Sequence, residues 1–152
     1  MVKYYLLLEV IKMLIDDIKK AKMIAMREKD NDARSIYDIV VNKYLLQSIS
    51  LRENGKEITD ADMIQIIMKT LKELADEKEG YLKVGRKEAA DSIAHQEETI
   101  KKYLPKMMSE DEIRAEIDKL TDKSMPSIMK HFKTNFAGKV EMSLVSKIAK
   151  SI

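Results

Sequence analysis

The sequence contains no cysteine and no tryptophan. Without cysteine there is no disulfide framework, no thiolate metal site and no thiol nucleophile. The same absence fits a reducing compartment, and a cytoplasmic location is expected. Proline occurs twice and glycine four times in 152 residues, so places for a tight turn are few. No apolar run reaches the roughly 18 to 20 residues that a membrane-spanning helix needs, so no membrane partner is expected. The opening Met1-Val2-Lys3-Tyr4-Tyr5-Leu6-Leu7-Leu8 looks at first like a secretion signal. Glu9 and Lys12 interrupt it and no small-residue cleavage site follows, which favours a partly buried helix.

What remains is apolar and charged in nearly equal measure, 45% and 36% of the residues. That is too apolar for general disorder and more charged than an average globular domain. Leu, Ile, Met, Lys, Glu and Ala dominate, and most of these are good helix formers. The length suits one domain or two small ones, and such a chain buries roughly two-thirds of its unfolded surface. The formal net charge is only +2, but it is unevenly spread. Residues 123–152 hold six lysines and one acid, Glu141, a net of +5, and residues 1–122 carry the balancing −3. A basic segment of this kind serves either as a surface for nucleic acid or as the ordinary solvated face of a helical domain.

Hydrophobic periodicity and capping residues divide the chain into helices. A first helix over 3–28 places Leu7, Ile11, Leu14, Ile15 and Ile18 on one face, with Lys19, Lys20 and Lys22 away from it. Asp30-Asn31-Asp32 caps a second, running to about Glu53, with Ile36, Ile39, Val40, Lys43 and Leu46 along it. Its β-branched Ile39-Val40-Val41 leaves a strand as an alternative. Asn54-Gly55 closes that helix, and Thr59-Asp60-Ala61-Asp62 opens a third, whose stripe is Met63, Ile66, Ile67, Leu71 and Leu74. Gly80 either sits inside this helix or breaks it, and Gly85 is the more natural stop. A fourth covers about Lys87 to Tyr103 with Ala90, Ile93 and Ile100 inward. Pro105 ends the long helices. Ser109-Glu110-Asp111-Glu112 has the form of a capping box and opens a fifth helix carrying Ile113, Ile117 and Leu120. Ser124-Met125-Pro126 starts a sixth with Ile128, Met129, Phe132 and Phe136. Ala137-Gly138 ends it, and a last helix over 140–151 turns Val140, Leu144, Val145 and Ile148 inward.

The expected fold is therefore all-α. A long-helix bundle over residues 1–104 is followed by a compact three-helix domain over 105–152.

No catalytic constellation stands out. His95 and Glu98 lie one turn apart, as in half of a helical metal site, but a solvent-facing histidine is the commoner reading. His131 falls in the other part of the chain. Met26, Met63, Met68, Met107, Met108, Met125 and Met129 form either an adaptable binding surface or, as is more usual, the filling of a core.

One ordered string carries a family resemblance. Gly85-Arg86, a helical stretch containing Glu97, Tyr103-Leu104-Pro105, and Met108-Ser109-Glu110-Asp111-Glu112-Ile113 follow one another at the spacing of the YqeY family, which reads GR, a helix, YLP, a short link and LSEEEL. Met125 to Met129 and Gly138-Lys139 fall where the family has two glycine–lysine motifs. The same terminal pattern occurs in the tail domain of the GatB subunit of tRNA-dependent amidotransferase. The resemblance is firm after Glu73 and looser before it, where Arg34-Ser35-Ile36 matches a helix start. Pro126-Ser127 stand where the family has Gly-Lys. Glu141 and Met142 replace a small acid or Asn and then Gly or Pro, so part of any tRNA contact made there is lost.

The resemblance implies a tRNA-binding accessory module. The GatB tail is similar to a tRNA-engaging appendage, and ATP-dependent transamidation belongs to other domains. Lys130, Lys133, Gly138, Lys139, Lys147 and Lys150 are the expected nucleic-acid-binding residues, with tRNA as partner and no catalytic residue, metal or cofactor. Two alternatives stand beside it. One is a helical protein-interaction adaptor without RNA binding, using the Met-rich helices of 1–72 on a protein partner. The other is the activity the family label implies, an amidotransferase-like carbon–nitrogen ligase with glutamine as amido-N-donor.

Overall fold

A computed structural model describes residues 13–152. Among these residues there are seven α-helices and no strand. Residues 1–12, with the expected inward positions Leu7 and Ile11, lie outside the described residues. By its internal contacts the chain divides after Tyr103 into two units.

The first unit contains α1 (Leu14–Arg27), α2 (Asn31–Glu53), α3 (Asp60–Lys83) and α4 (Lys87–Lys101). Several of its helix ends are closed by side chains or by glycine, and the chain leaves α1 through Lys29, a non-glycine residue at φ +56°. Asp30 Oδ1 accepts the Ala33 N–H at 3.0 Å and starts α2. Thr59 and Asp62 form a capping box at the start of α3, with Thr59 N–H donating to Asp62 Oδ2 at 2.9 Å and Asp62 N–H to Thr59 Oγ1 at 3.3 Å. Asp60 Oδ1 also accepts the Leu14 N–H at 3.0 Å, which ties the first turn of α1 to that of α3. Gly55 and Gly85 take φ of +71° and +75°, the left-handed conformation that lets a chain leave a helix. Gly80 remains helical inside α3, so the turn to α4 falls at Gly85.

α2 packs against each of the other three helices. Its buried residues are Ala33, Ile36, Tyr37, Val40 and Val41. They meet Ile15 and Ile18 of α1, Met63, Ile66, Ile67 and Leu74 of α3, and Ala90, Ile93 and Ile100 of α4 in a shared apolar interior. Polar ties sit at its margins. Lys43 Nζ donates to Thr70 Oγ1 at 3.0 Å and to Glu73, while Thr70 Oγ1 donates to the Ile66 carbonyl at 2.7 Å. Lys22 pairs with Asp38, and Lys78 with Glu97 at 2.6 Å.

The apolar residues named along α2 do not share one face: Ile36 and Val40 are buried, whereas Ile39 and Leu46 are 41% and 70% exposed. Apolar residues stand on nearly every side of this helix, and the side the three neighbours occupy is the one through Ile36, Val40 and Val41. The Ile39-Val40-Val41 run lies in mid-helix, because neighbours on three sides outweigh its β propensity. The methionines do not share one surface either: Met63 is fully buried, whereas Met26 is 44% exposed.

His95 Nε2 lies 2.8 Å from Asp30 Oδ2, so it joins α4 to the cap of α2. This contact, with the Ala33 N–H, holds the Asp30 carboxyl below its ordinary pKa. Just past the end of α4, the Tyr103 hydroxyl meets that of Tyr37 of α2 at 3.2 Å, and burial pushes Tyr103 up to about 12.

The proposed division into domains 1–104 and 105–152 has a direct test. Helix α4 ends at Lys101, and residues 102–109 carry no regular structure before the next helix. Brief trypsin digestion is expected to cut first at Lys101, Lys102 or Lys106 and to leave two resistant fragments, read by mass spectrometry. Early cuts scattered through 109–152 would contradict a separate terminal domain.

Candidate nucleic-acid interface

The second unit, Leu104–Ile152, carries the basic segment. It contains α5 (Glu110–Asp118), α6 (Met125–Asn135) and α7 (Met142–Lys150). Each helix is short, so capping and burial have to supply what length does not. Ser109 Oγ accepts the Glu112 N–H at 3.2 Å, and Glu112 Oε2 accepts the Ser109 N–H at 3.0 Å, completing the capping box read from the sequence. Ile113, Ile117, Ile128, Phe132, Val140, Val145 and Ile148 form one buried cluster, with Met108, Leu120, Met129 and Phe136 packed at its edge. Val140 is buried although it precedes α7, because the loop itself turns inward there.

That loop holds the glycine–lysine pair. Gly138 is buried with φ +76°, a conformation that a side chain would strain. The Lys139 N–H donates to the Phe136 carbonyl at 3.0 Å, and the Lys139 carbonyl accepts the Met108 N–H at 2.9 Å. The backbone of Lys139 is thus pinned on both sides while its side chain is exposed.

The five lysines named from the sequence all lie at the surface. On α6, Ile128 and Phe132 are buried one turn apart, and helical periodicity sets Lys130 and Lys133 away from them. On α7, Val145 and Ile148 are buried, and Lys147 and Lys150 fall on the opposite side. Helices α6 and α7 pack against each other, with the Lys139 loop between them in sequence. Among the described residues none of the five lysines is paired with a carboxylate. Unpaired, exposed ammonium groups keep their charge available to an anion.

Several structural side chains around these lysines were not singled out in the sequence. Asp122 Oδ1 accepts the Ser124 N–H at 2.9 Å and its Oδ2 accepts the Ser127 hydroxyl at 2.7 Å, which hold its carboxyl below the ordinary range. Pro126 follows at the second helical position, where its missing N–H costs nothing. The local signal was present as an aspartate two residues before a helix-capping serine. His131 Nε2 lies 3.0 Å from Glu116 Oε1 and joins α6 to α5, with its ring edge-on to Phe132 at 5.5 Å. Glu141 Oε1 accepts the Ser143 hydroxyl at 2.8 Å, and Met142 packs against the core. The four positions that depart from the family motif, Pro126, Ser127, Glu141 and Met142, therefore serve the helix starts and the core.

The sequence pattern described as YqeY-like protein matches residues 14–152. The chain belongs to the YqeY family. No curated protein matches it. Membership spans both units, so the four helices before Tyr103 belong to the family pattern as much as the basic terminal unit does.

Two stability predictions follow from the caps and the α5–α6 contact. Ser109→Ala should destabilise the terminal unit by about 0.5–2 kcal/mol, and Glu112→Ala by less, in denaturant melts followed by circular dichroism. An unchanged melt for Ser109→Ala would mean that the capping box is not formed. The hydrogen bond from His131, the largest cause, lowers the Glu116 pKa from its ordinary 4.5. A carboxylate with a depressed folded-state pKa stabilises above its unfolded pKa, and the contribution fades as pH falls through the folded value. Glu116→Gln should therefore melt earlier than the parent chain at neutral pH, and the two melts should draw together as pH falls past 4.5 and converge only in acid below the lowered folded-state pKa. A gap that persists or widens there would contradict the charge assignment.

Proposed function

We propose that this YqeY-family chain is a tRNA-binding accessory module whose terminal unit grips the phosphate backbone. The observation that carries this reading is the set of exposed lysines, Lys130, Lys133, Lys139, Lys147 and Lys150, none paired with an acid among the described residues. The pinned Gly138-Lys139 loop supports it, because a fixed backbone gives one cation a fixed place. The resemblance to the tail of GatB supplies the kind of nucleic acid. On this reading, α6 and α7 bring all five amines to one side. Contacts to phosphate position a ligand without reading its bases, so binding is weakly sequence-specific and strongly salt-dependent. The relation to amidotransferase is one of a binding appendage rather than of the ligation chemistry itself.

An electrophoretic shift titration of the full chain against total tRNA at several salt concentrations tests this. Five phosphate contacts predict a log–log slope of affinity on salt of about −3 to −5. Replacing Lys139, Lys147 and Lys150 together by Glu should abolish binding while leaving the helical circular dichroism intact. Replacing Lys19, Lys20 and Lys22 of α1 should matter much less. No affinity at low salt would overturn the RNA reading in favour of a protein-interaction adaptor.

A further inference from the structure

The four-helix unit is open along one side. Helices α1 and α4 both pack on α2 but scarcely touch each other. Between them, over α2, runs a groove of about 420 Å³, a volume within the range of small-molecule sites. Small side chains keep it open. Ala21 and Ala25 of α1 and Ala33 of α2 line it, where longer side chains would fill the space, and with Ile24 they make its middle apolar. None of the lysines assigned to RNA belongs to it.

Its two ends carry opposite charge. At one end Lys20 reaches the groove from α1 and Lys102 from the end of α4. Neither is paired with a carboxylate among the described residues. Asp17 lines the same end, so two ammonium groups stand there against one carboxylate. The Tyr37 and Tyr103 hydroxyls lie there too, bonded to each other at 3.2 Å. That bond uses one of their two protons and leaves the other for an acceptor. At the opposite end stand Glu28, Asp30 and His95. Both Asp30 oxygens are engaged, one by the Ala33 N–H and one by His95. Glu28 is exposed and in no ion pair among the described residues, so it holds the available negative charge. Lys20 and Glu28 are about 12 Å apart along the axis of α1. At physiological salt that exceeds the screening length, so the two ends do not neutralise each other.

The geometry points to a binding site for a small zwitterion in this groove, with a carboxylate between Lys20 and Lys102, an ammonium at Glu28 and an apolar chain over Ala21, Ile24 and Ala33. A ligand with a single charge matches one end only. One with both charges, held apart by methylenes, matches both ends and covers the alanine floor. The site lies in the first unit and does not depend on the RNA reading.

Titration of the isotope-labelled full chain with ε-aminocaproate, followed by amide chemical shifts, tests this. Saturable shifts are expected at Ala21, Ile24, Ala33 and Thr99. Caproate and hexylamine each match one end and should bind more weakly by roughly two- to fivefold, the worth of one exposed ion pair. β-Alanine, too short to reach both ends, should do no better than either. Lys20→Ala with Lys102→Ala should bring ε-aminocaproate down to the level of hexylamine, and Glu28→Gln to that of caproate. Ala21→Leu fills the groove from a half-buried position and should abolish the shifts while the melting temperature stays near that of the parent. The inference is overturned if no saturable shift appears in the groove, or if ε-aminocaproate, caproate and hexylamine bind equally. Shifts spread over the lysines of the terminal unit, or unchanged binding by a folded Ala21→Leu chain, would overturn it as well.

Discussion

Every helix leaves peptide groups unpartnered at its ends, and in this chain the closing of those ends fixes where everything else can go. Seven helices occur within the described residues, and the terminal three are too short to persist alone. The closures are therefore structural joints as well as caps. Asp30 both caps α2 and holds His95 of α4, while Asp60 begins α3 and takes the first N–H of α1. In the terminal unit the Met108 N–H reaches the Lys139 carbonyl, so the strand of chain entering α5 is fastened to the loop between α6 and α7. Burial then acts on elements already held in register. The cluster from Ile113 to Ile148 draws on all three terminal helices and on Val140 of the loop.

This division of labour explains which parts of the fold were legible beforehand. Helix starts and stops are written locally, in Thr59 with Asp62, Ser109 with Glu112, and the glycines at 55, 85 and 138, and the structure places them as read. Faces are another matter. On the terminal helices apolar residues occupy one side only, so Ile113, Ile117, Phe132 and Ile148 could be assigned inward. On α2 apolar residues lie almost all round, and two overlapping stripes satisfy the same periodicity. Only the neighbours decide between them, and periodicity carries no information about neighbours. Joints that cross between helices, such as His131 with Glu116 or Lys43 with Glu73, were illegible for the same reason.

For the candidate interface, exposure of the four helical lysines was readable, because Lys130, Lys133, Lys147 and Lys150 alternate with buried apolar residues along α6 and α7. The restraint on Lys139 was half readable. Gly138 announces an unusual backbone, but the hydrogen bond from Met108 is a tertiary fact. Asp122 was missed because its two partners, Ser124 and Ser127, look like ordinary helix-start residues until the carboxylate is seen to hold both.

Asp122 also bears on how an anion can approach this unit. The amino end of a helix normally attracts phosphate through free N–H groups and the helix dipole. At α6 that end is closed by an ionised carboxylate, Pro126 has no N–H to offer, and the Ser127 hydroxyl is turned back onto Asp122. The change from Gly-Lys to Pro-Ser thus removes a cation and leaves an acid beside the helix start. At α7 the residue in the capping position is Glu141, again an acid. Acids thus stand at both helix starts, Asp122 beside Lys123 at α6 and Glu141 at α7, and the other cations lie farther along, on Lys130, Lys133, Lys147 and Lys150. A phosphate backbone that binds this unit would be met by flexible side chains on helix flanks and by Lys139, whose loop backbone is held through the Phe136 carbonyl and the Met108 N–H. Such a surface favours contact by charge density over contact by shape.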